Sequence, residues 1–270
     1  MHRVKRQMRL LATDVDGTIA GPDHHVADRT AQALRGVQDA GIPVVLVTGR
    51  NSSGTDALWC ELGLKAPVIS CGGSLIKRPD TGEIILERRM DPNDVRELLD
   101  LGQALGAMRS MWTATITYRD DHPLADLMEA MNGVRCIRVP DFQAFIHSGI
   151  IKAVVGAPEE RVVDLERTIR AHFGQSVTVT RGTSNFLDVT DSQATKGTAL
   201  AYLADYLGIP REGVVAIGDS DNDVDMLEYA AIGVAMGNSS ASARRAASLQ
   251  IGKNDAHGVA EFLETLLQTL

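Results

Sequence analysis

Residues 9–18 read RLLATDVDGT, an apolar run that ends abruptly in two aspartates, a glycine and a threonine. The run 9–13 is short and mostly apolar, which predicts a buried strand. Side chains two positions apart in an extended segment point the same way, so Asp14 and Asp16 are expected to share one site. Gly17 permits a sharp turn directly after them. The stretch therefore predicts a strand with a pair of carboxylates at its carboxyl end.

The sequence on either side alternates between short β-branched runs and helical patterns, which predicts an α/β protein with a parallel sheet. The continuous apolar runs are typical of strands covered on both faces. The predicted strands of this fold are 9–13, 43–48, 67–70, 214–217 and 233–235. The predicted helices are 28–40, 54–62, 197–207, 223–230 and 259–269.

The middle of the chain has a different pattern, in which strands and helices mix. A Pro-Asp-Thr-Gly turn between 74–77 and 83–87 predicts a hairpin. Further strands are predicted at 113–118, 134–139, 150–155 and 176–180, and helices at 92–105, 123–131 and 159–173. We therefore predict a Rossmann-like, doubly wound α/β core, residues 1–82 and 189–270, with an inserted α+β cap domain of residues 83–188.

Composition and charge exclude several classes of protein. The 270 residues include 35 acidic and 27 basic side chains, a formal net charge of −8. A general nucleic-acid binder needs a basic face, whereas a small anionic substrate could still bind through a metal ion. No stretch approaches the roughly 18 apolar residues of a membrane span, and the apolar run behind basic residues 1–9 is too short for a secretory signal. Three widely spaced cysteines indicate neither a disulfide framework nor a zinc site. We expect a reduced, cytoplasmic protein without membrane or nucleic-acid partners, of open oligomeric state.

An open parallel sheet binds its ligands just outside the carboxyl ends of the strands. Two further polar motifs lie in this region of the predicted fold, one at a strand end and one at a helix start. Thr48-Gly49-Arg50 closes the second predicted strand, and a hydroxyl with exposed backbone N–H groups can cradle phosphate oxygens. Lys196 begins a predicted helix, where its charge opposes the helix dipole. This position suggests a phosphate or carboxylate partner, although an exposed lysine without a function is the more frequent case.

The last motif, Gly-Asp-Ser-Asp-Asn-Asp at 218–223, follows the strand 214–217. Its three carboxylates would repel one another unless a cation or hydrogen-bond donors balanced them. Mg²⁺ fits, because it takes hard oxygen ligands and typically uses one or two carboxylates plus substrate phosphate. A calcium-binding EF-hand is the rival interpretation, but its downstream glycine and twelfth-position glutamate are missing. The Asp-rich stretch around Asp14 also has a purely structural interpretation, as a helix-capping loop.

Taken in order, the four motifs resemble the haloacid dehalogenase superfamily, and specifically its Cof-type phosphatase branch. That branch has a DxDGT motif, a TGR strand end, a lysine before glycine and a GDxxND loop. The segments 233–238 and 254–260 also resemble the closing segments of the family. Two departures lie near the predicted boundary of core and cap. Where the family has an Asn-Gly pair after the third strand, this sequence has Ser-Cys-Gly-Gly-Ser at 70–74. Asp191 and Gln193 replace the usual Pro and Gly of the linker.

The resemblance implies a role for each matching position. Asp14 would be the nucleophile that forms an aspartyl-phosphate, and Asp16 would protonate the leaving oxygen and then activate water. The implied Mg²⁺ ligands are Asp14, the main-chain carbonyl of Asp16, and Asp219. The implied phosphate- or substrate-binding residues are Thr48, Gly49, Arg50, Lys196 and Asn222. The implied supporting residues are Thr18, whose hydroxyl can fix a carboxylate rotamer, Asp223 and Asn238.

We therefore expect a Mg²⁺-dependent phosphatase of small phosphomonoesters, such as a sugar phosphate, phosphoglycolate or a phosphorylated cofactor. A phosphate dianion repels an attacking carboxylate, so Mg²⁺ and a lysine must screen its charge. A phosphomutase or phosphotransferase on the same fold would use the same motifs, and a non-catalytic binding protein would not need such costly clustered charges. The His24-His25 pair is expected to be solvent-exposed rather than a metal site.

Overall fold

The computed structural model describes residues 8–132, 135–147 and 149–268. By their internal contacts these residues form two compact units. The first, here called the α/β unit, comprises Met1–Thr48, Thr55–Ile85 and Thr195–Leu270. The second, the α+β unit, comprises Gly49–Gly54 and Leu86–Ala194. The domain limits predicted from sequence, 82/83 and 188/189, lie a few residues from these boundaries and stay a prediction.

The α/β unit is built on a five-stranded parallel sheet, in which elements are numbered in chain order. Its strands are β1 (Leu10–Thr13), β2 (Val44–Leu46), β12 (Val214–Gly218), β13 (Ile232–Ala235) and β14 (Leu249–Gln250). They lie in the order β14-β13-β12-β1-β2. The central strands β1 and β12 are neighbours, and the strands that follow them in the chain, β2 and β13, lie on opposite sides of this pair. Every residue of the first four strands is buried, as their continuous apolar runs predict.

Among the described residues, six helices belong to the chain segments that build this sheet. They are α1 (Asp28–Asp39), α2 (Ser52–Leu62), α6 (Lys196–Tyr206), α7 (Val224–Tyr229), α8 (Ala241–Ala246) and α9 (Gly258–Leu267). Leu34 of α1 and Leu263 of α9 pack with Leu11 and Ile217 of the sheet in one apolar core. The predicted end of the last helix, residue 269, lies outside the described residues. The fold class predicted from the sequence is thereby confirmed.

A small three-stranded sheet is formed by strands that follow β2 and α2 in the chain and precede the helix Pro92–Ala104. It contains β3 (Val68–Ser70), β4 (Leu75–Lys77) and β5 (Ile84–Glu87), in that order. The strands β3 and β4 pair antiparallel, and a single parallel bridge between Val47 and Ile69 joins β3 to the segment after β2. The turn predicted at 79–82 lies between β4 and β5, as the hairpin pattern requires.

The α+β unit contains a six-stranded sheet in the order β10-β11-β9-β6-β7-β8, in which the β7–β8 pair is parallel and the other four described pairs are antiparallel. Its strands are β6 (Met108–Trp112), β7 (Thr117–Arg119), β8 (Ile137–Arg138), β9 (Lys152–Gly156), β10 (Val177–Arg181) and β11 (Phe186–Asp191). Its helices are α3 (Pro92–Ala104), α4 (Pro123–Asn132) and α5 (Glu159–Phe173). Asp91 caps the N-terminus of α3, because its side chain accepts a hydrogen bond from the N–H of Asn93.

The strand predicted at 113–118 is confirmed only at residues 117–118, which belong to β7, and is wrong for 113–116. A turn lies there, between β6 and β7, because the hydroxyl oxygen of Thr113 accepts hydrogen bonds from the N–H groups of Thr115 and Ile116, at 3.3 and 2.8 Å. The predicted strand 134–139 is shortened to β8, and residue 134 lies outside the described part of the chain. No pattern predicted β11, since Asp188 interrupts its apolar residues. That carboxylate is tolerated because Lys152 of β9 donates to it at 3.0 Å.

Two further findings concern membrane-spanning helices and the cysteines. Within the ranges 8–132, 135–147 and 149–268, no helix is long and apolar enough to cross a membrane. Cys60, Cys71 and Cys136 are all free cysteines.

Candidate active site

The carboxyl ends of β1 and β12 lie side by side and bring two of the polar motifs together. The strands pair in parallel with Thr13 opposite Ile217, and the N–H of Asp14 donates to the carbonyl of Ile217 at 2.9 Å. Asp14 therefore follows β1 at the same edge of the sheet at which Asp219 follows β12. The chain reverses its direction across the sheet between these two strands, and such a switch point is where open α/β sheets bind ligands.

Lys196 occupies the centre of a buried group of carboxylates. Its Nζ lies 2.6 Å from Oδ1 of Asp14 and 2.6 Å from Oδ1 of Asp223. The lysine stands at the start of α6, where Thr195 and Thr198 form a reciprocal capping box that fixes the first turn. A lysine at a helix N-terminus opposes the helix dipole, and here the two carboxylates compensate for that unfavourable position.

Asp223 holds both the lysine and the loop that carries Asp219. Its second oxygen, Oδ2, accepts hydrogen bonds from the backbone N–H groups of Asp219 and Ser220, each at 2.9 Å. Since Oδ1 accepts from Lys196, both carboxylate oxygens have donors within the protein. The side chain is fully buried. The arrangement suits a supporting role for Asp223 better than a role as a direct metal ligand.

Thr18 and Gly17 place the first motif against the carboxylate of Asp219. The hydroxyl of Thr18 donates to Oδ1 of Asp219 at 3.0 Å. Gly17 has a φ of +84°, and a Cβ atom at this position would lie 2.4 Å from Oδ2 of Asp219. Only glycine combines this left-handed backbone with so close an approach. The carboxylate rotamer that Thr18 holds is thus that of Asp219.

Burial and mutual repulsion shift the pKa values of the carboxyl groups. Burial raises the pKa of Asp14 to about 8; Lys196 opposes the shift, and the charges of Asp223 and Asp219 add to it. Burial and the charge of Asp223 likewise raise the pKa of Asp219 to about 6. Burial lowers the pKa of Lys196, but the two carboxylates outweigh that effect and raise it above its ordinary value. Lys196 is therefore charged at neutral pH.

The donor atoms of the cluster fit a hard divalent cation. One carboxylate oxygen from each of Asp14, Asp219 and Asp223 lies within 4.8 Å of the others. All three donors are oxygen atoms, and when all three groups are ionised one ammonium group cannot neutralise them. A Mg²⁺ ion prefers oxygen ligands and would offset the surplus of negative charge. The geometry thus accommodates a metal ion, with Asp14 and Asp219 as the carboxylates that remain available to it.

Asp16 lies in a more open environment than Asp14. Its side chain is 41% exposed, compared with 5% for Asp14. Oδ1 of Asp16 lies 3.0 Å from Nδ1 of His24, whose ring is 74% exposed. The sequence predicts exposure of His24, which is correct, but no sequence signal predicted its contact with Asp16. The contact depends on how the loop after the first motif folds back.

Thr48 lies two residues after the end of β2, which is shorter than the predicted strand 43–48. Its N–H donates to the carbonyl of Ile69, and its own carbonyl accepts from Gly72, both within the α/β unit. Gly49 and Arg50 follow directly in the chain but belong by their contacts to the α+β unit. There the carbonyl of Gly49 accepts a hydrogen bond from Nζ of Lys152 at 3.4 Å.

Two asparagines of the predicted set have structural partners in the α/β unit. The side-chain amide of Asn238 donates to the carbonyl of Gly17 at 2.8 Å, and its oxygen accepts from the N–H of Asn254. The segment 254–260 is thereby tied to the first motif. Oδ1 of Asn222 accepts from the hydroxyl of Ser220 at 2.6 Å.

The unusual segment after β3 makes a close approach to the start of α6. Gly73 has a φ of +106°, and a Cβ atom there would lie 2.2 Å from the carbonyl oxygen of Thr195. This glycine is therefore needed where the loop passes Lys196. The hydroxyls of Ser70 and Ser74, on either side, are buried without a hydrogen-bond partner among the described residues.

Comparison with known proteins places these features in one family. A family model described as haloacid dehalogenase-like hydrolase matches residues 11–263. The chain is 26% identical over 263 residues to 5-amino-6-(5-phospho-D-ribitylamino)uracil phosphatase YitU from Bacillus subtilis, covering 94% of this chain and 96% of that protein. It is 29% identical over 265 residues to the phosphoglycolate phosphatase of Methanopyrus kandleri, covering 96% and 97%. The solved structure of a haloacid dehalogenase-like hydrolase from Bacteroides thetaiotaomicron matches with a TM-score of 0.86 and 25% identity, covering 96% and 99%.

Proposed function

The chain belongs to the haloacid dehalogenase-like hydrolases, and from this premise we propose that it is a Mg²⁺-dependent phosphatase that forms an aspartyl-phosphate on Asp14. It is a phosphatase, an enzyme that hydrolyses phosphoric monoesters. We also propose that residues 1–82 and 189–270 are its catalytic core and that residues 83–188 are its cap domain. The observation that carries the proposal is the buried contact between Lys196 and Asp14.

Lys196 makes Asp14 a competent nucleophile toward an anion. A phosphate monoester carries negative charge and repels an approaching carboxylate. The ammonium of Lys196 lies 2.6 Å from Oδ1 of Asp14, so it both orients the carboxylate and lowers the negative potential around it. The same contact favours the ionised form of Asp14, against the effect of burial.

The reaction then proceeds in two transfers. An oxygen of Asp14 bonds to phosphorus while the bond from phosphorus to the ester oxygen breaks, and Asp16 gives its proton to that leaving oxygen. A water molecule next attacks the phosphorus of the aspartyl-phosphate, and Asp16 takes a proton from it. Phosphate leaves, Asp14 is regenerated, and Asp16 is protonated again. The open position of Asp16 supports its role in proton exchange.

Mg²⁺ would be held by carboxylate oxygens of Asp14 and Asp219 and by the main-chain carbonyl of Asp16. When bound, it supplies positive charge that stabilises the transferring phosphoryl group. Thr18 keeps the carboxylate of Asp219 in place through its 3.0 Å hydrogen bond. Asp223 supports Lys196 and the loop rather than the metal, because both its oxygens accept hydrogen bonds from the protein.

We propose that Thr48, Gly49, Arg50, Lys196 and Asn222 bind the phosphoryl group or the substrate. The substrate would be a small phosphorylated metabolite. Two relatives are named for a phosphoribitylamino-uracil and for phosphoglycolate, which differ greatly in size and share a phosphoryl group. This difference supports recognition of the phosphoryl group by the four motifs, while residues outside them select the rest. Three free cysteines support a reducing, cytoplasmic location.

Phosphate release from a panel of small phosphomonoesters, with Mg²⁺ and with EDTA, tests the proposal. The wild type should release phosphate only with Mg²⁺, and Asp14→Asn should abolish release while keeping the fold. Asp221→Asn is the matched control in the acidic loop, because Asp221 is held by Ser240 and Ser242 on the protein surface. Its activity should match that of the wild type.

Failure of the folded wild type to release phosphate from any ester would contradict the proposal, as would full activity of Asp14→Asn. A phosphotransferase on the same fold would instead move the phosphoryl group to a second metabolite. Adding acceptor alcohols and measuring new esters distinguishes that reaction from hydrolysis.

A further inference from the structure

The loop after the first motif folds back on Asp16. Within it, the N–H of His24 donates to the carbonyl of Gly21, and the N–H of Gly21 donates to the carbonyl of His25, both at 2.9 Å. Just before the loop, Ala20 forms a parallel bridge with Asp16, and it also forms an antiparallel bridge with Val26. Backbone contacts on both sides therefore hold the loop against the segment that contains the acid–base candidate.

His24 has an unusual backbone conformation within this loop. Its φ is +61°, a left-handed value that only a few per cent of non-glycine residues adopt, although histidine, asparagine and aspartate do so more often than the others. The backbone hydrogen bonds of the loop maintain this conformation. It places Nδ1 of the imidazole 3.0 Å from Oδ1 of Asp16. This 3.0 Å contact with the proposed acid–base carboxylate favours a functional interpretation of the residue.

We propose that His24 is a positioning residue for Asp16, a role that rests on the proposed phosphatase function. Nδ1–H donates to Oδ1 of Asp16 and thereby fixes the rotation of the carboxyl group, whose terminal torsion is otherwise broad. Because Oδ1 then accepts a hydrogen bond, the transferable proton of Asp16 resides on Oδ2. That proton passes to the leaving oxygen in the first transfer, and Oδ2 takes a proton from water in the second.

The neighbouring histidine provides a matched control. His25 is exposed like His24 and contributes its backbone to the loop, since its carbonyl accepts from Gly21 and its N–H donates to Asp23. A substitution of its side chain leaves these backbone bonds available. The pair therefore separates an effect of the ring of His24 from a general effect on the loop.

The leaving group distinguishes a positioning role in proton transfer from a structural role. We compare kcat/KM for an alkyl phosphate from the panel with kcat/KM for p-nitrophenyl phosphate, whose leaving group needs little protonation. His24→Gly permits positive φ but lacks a donor, and should lower the alkyl value about tenfold and the aryl value less than about threefold. His24→Asn tolerates positive φ and keeps an amide donor, so it should recover most of the alkyl activity. His25→Asn should leave both values unchanged.

A double-variant measurement sharpens the test. In an Asp16→Ala background, His24→Gly should cause no further loss, because the group that His24 positions is already gone. Circular dichroism and thermal unfolding establish that each variant is folded. Equal losses for both esters, no loss in His24→Gly, or equal impairment of His24→Asn and His24→Gly would each overturn the proposal.

The outcomes that would overturn the role of His24 can be distinguished from those that would overturn the proposed phosphatase function. A wild type that releases no phosphate, or an Asp14→Asn variant that stays active, overturns the phosphatase mechanism and the role of His24 with it. An active, Asp14-dependent wild type in which His24→Gly acts equally on both esters overturns only the role of His24.

Discussion

Nζ of Lys196 lies 2.6 Å from Oδ1 of Asp14, although the two residues are 182 positions apart in the sequence. The α+β segment Leu86–Ala194 accounts for most of that separation. The contact joins the strand end of β1 to the start of α6, and both side chains are almost completely buried. Such a buried ion pair needs a complete set of partners to be tolerated, and Asp223 and Asp219 extend it into a cluster.

Replacement of Lys196 by Met should reduce both activity and stability. Without the ammonium, phosphate release should fall on the order of a thousandfold, because a preorganised charge at the nucleophile is lost. The free energy of unfolding in EDTA should fall by about 3 kcal/mol. This value lies at the low end of the range for a broken buried ion pair, because Asp14 can take up a proton and so lose its unpaired charge. Phosphate release and urea unfolding measure the two effects.

Lys65→Met serves as the control for this substitution, because Lys65 is exposed and should tolerate the change. Stability of Lys196→Met equal to that of the wild type would contradict the assignment of Lys196 as the central cation of the cluster.

Substitutions of two nearby aspartates in the acidic loop, Asp223 and Asp221, should have very different effects on the free energy of unfolding. In Asp223→Asn one oxygen is replaced by an amide NH₂, so either Lys196 or the loop N–H groups face a donor instead of an acceptor. We expect a loss of about 2 to 4 kcal/mol in unfolding free energy. Asp221→Asn, whose acceptor oxygen can still serve Ser240, should change it by less than about 0.5 kcal/mol. Similar melting temperatures for the two variants would refute this distinction.

The meeting of Asp14 and Asp219 could be predicted from the sequence because it follows from the sheet alone. Both residues come directly after apolar runs, and the carboxyl ends of parallel strands share one edge of the sheet. The contact of Lys196 with Asp14 could not be derived in this way. It depends on the direction of α6 and on the close passage of Gly73 beside Thr195, which no local pattern encodes.

The strand β6 was missed for a different physical reason. Its sequence, MRSMW, places a polar serine among buried residues and lacks a clear strand pattern. In the structure the hydroxyl of Ser110 donates to the carbonyl of Tyr118 at 2.7 Å and accepts from the indole N–H of Trp112 at 2.9 Å. These partners come from the fold itself, so the tolerance for a buried serine is invisible in the sequence.

A second buried lysine, Lys152, should matter for the stability of the α+β unit. Its Nζ lies 3.0 Å from Oδ2 of Asp188 and 4.2 Å from the centre of the Trp112 ring. Lys152→Met should lower the unfolding free energy by about 2 kcal/mol, because Asp188 keeps a charge in a largely buried position. The double variant Lys152→Met, Asp188→Leu should recover much of this loss. Urea unfolding followed by tryptophan fluorescence measures both, and a double variant as unstable as the single one would contradict the ion-pair explanation.

The stabilisation by Mg²⁺ should increase with pH. In the metal-free protein the pKa of Asp14 is raised from 3.8 to about 8 and that of Asp219 from 3.8 to about 6. Between 3.8 and these values the folded state binds more protons than the unfolded state, so unfolding free energy falls as pH rises. Mg²⁺ needs the ionised carboxylates and releases their protons, so its binding strengthens over the same range.

Thermal unfolding in Mg²⁺ and in EDTA measures this linkage. The difference in Tm between the two conditions should be small near pH 5 and should grow up to about pH 8, where about half of Asp14 is ionised even without metal. Asp219→Asn removes one of the proposed ligands and should reduce the difference at every pH. A Tm difference that is the same at both ends of the range would mean that Mg²⁺ does not bind through these two carboxylates, since their protons must leave before the ion can be held.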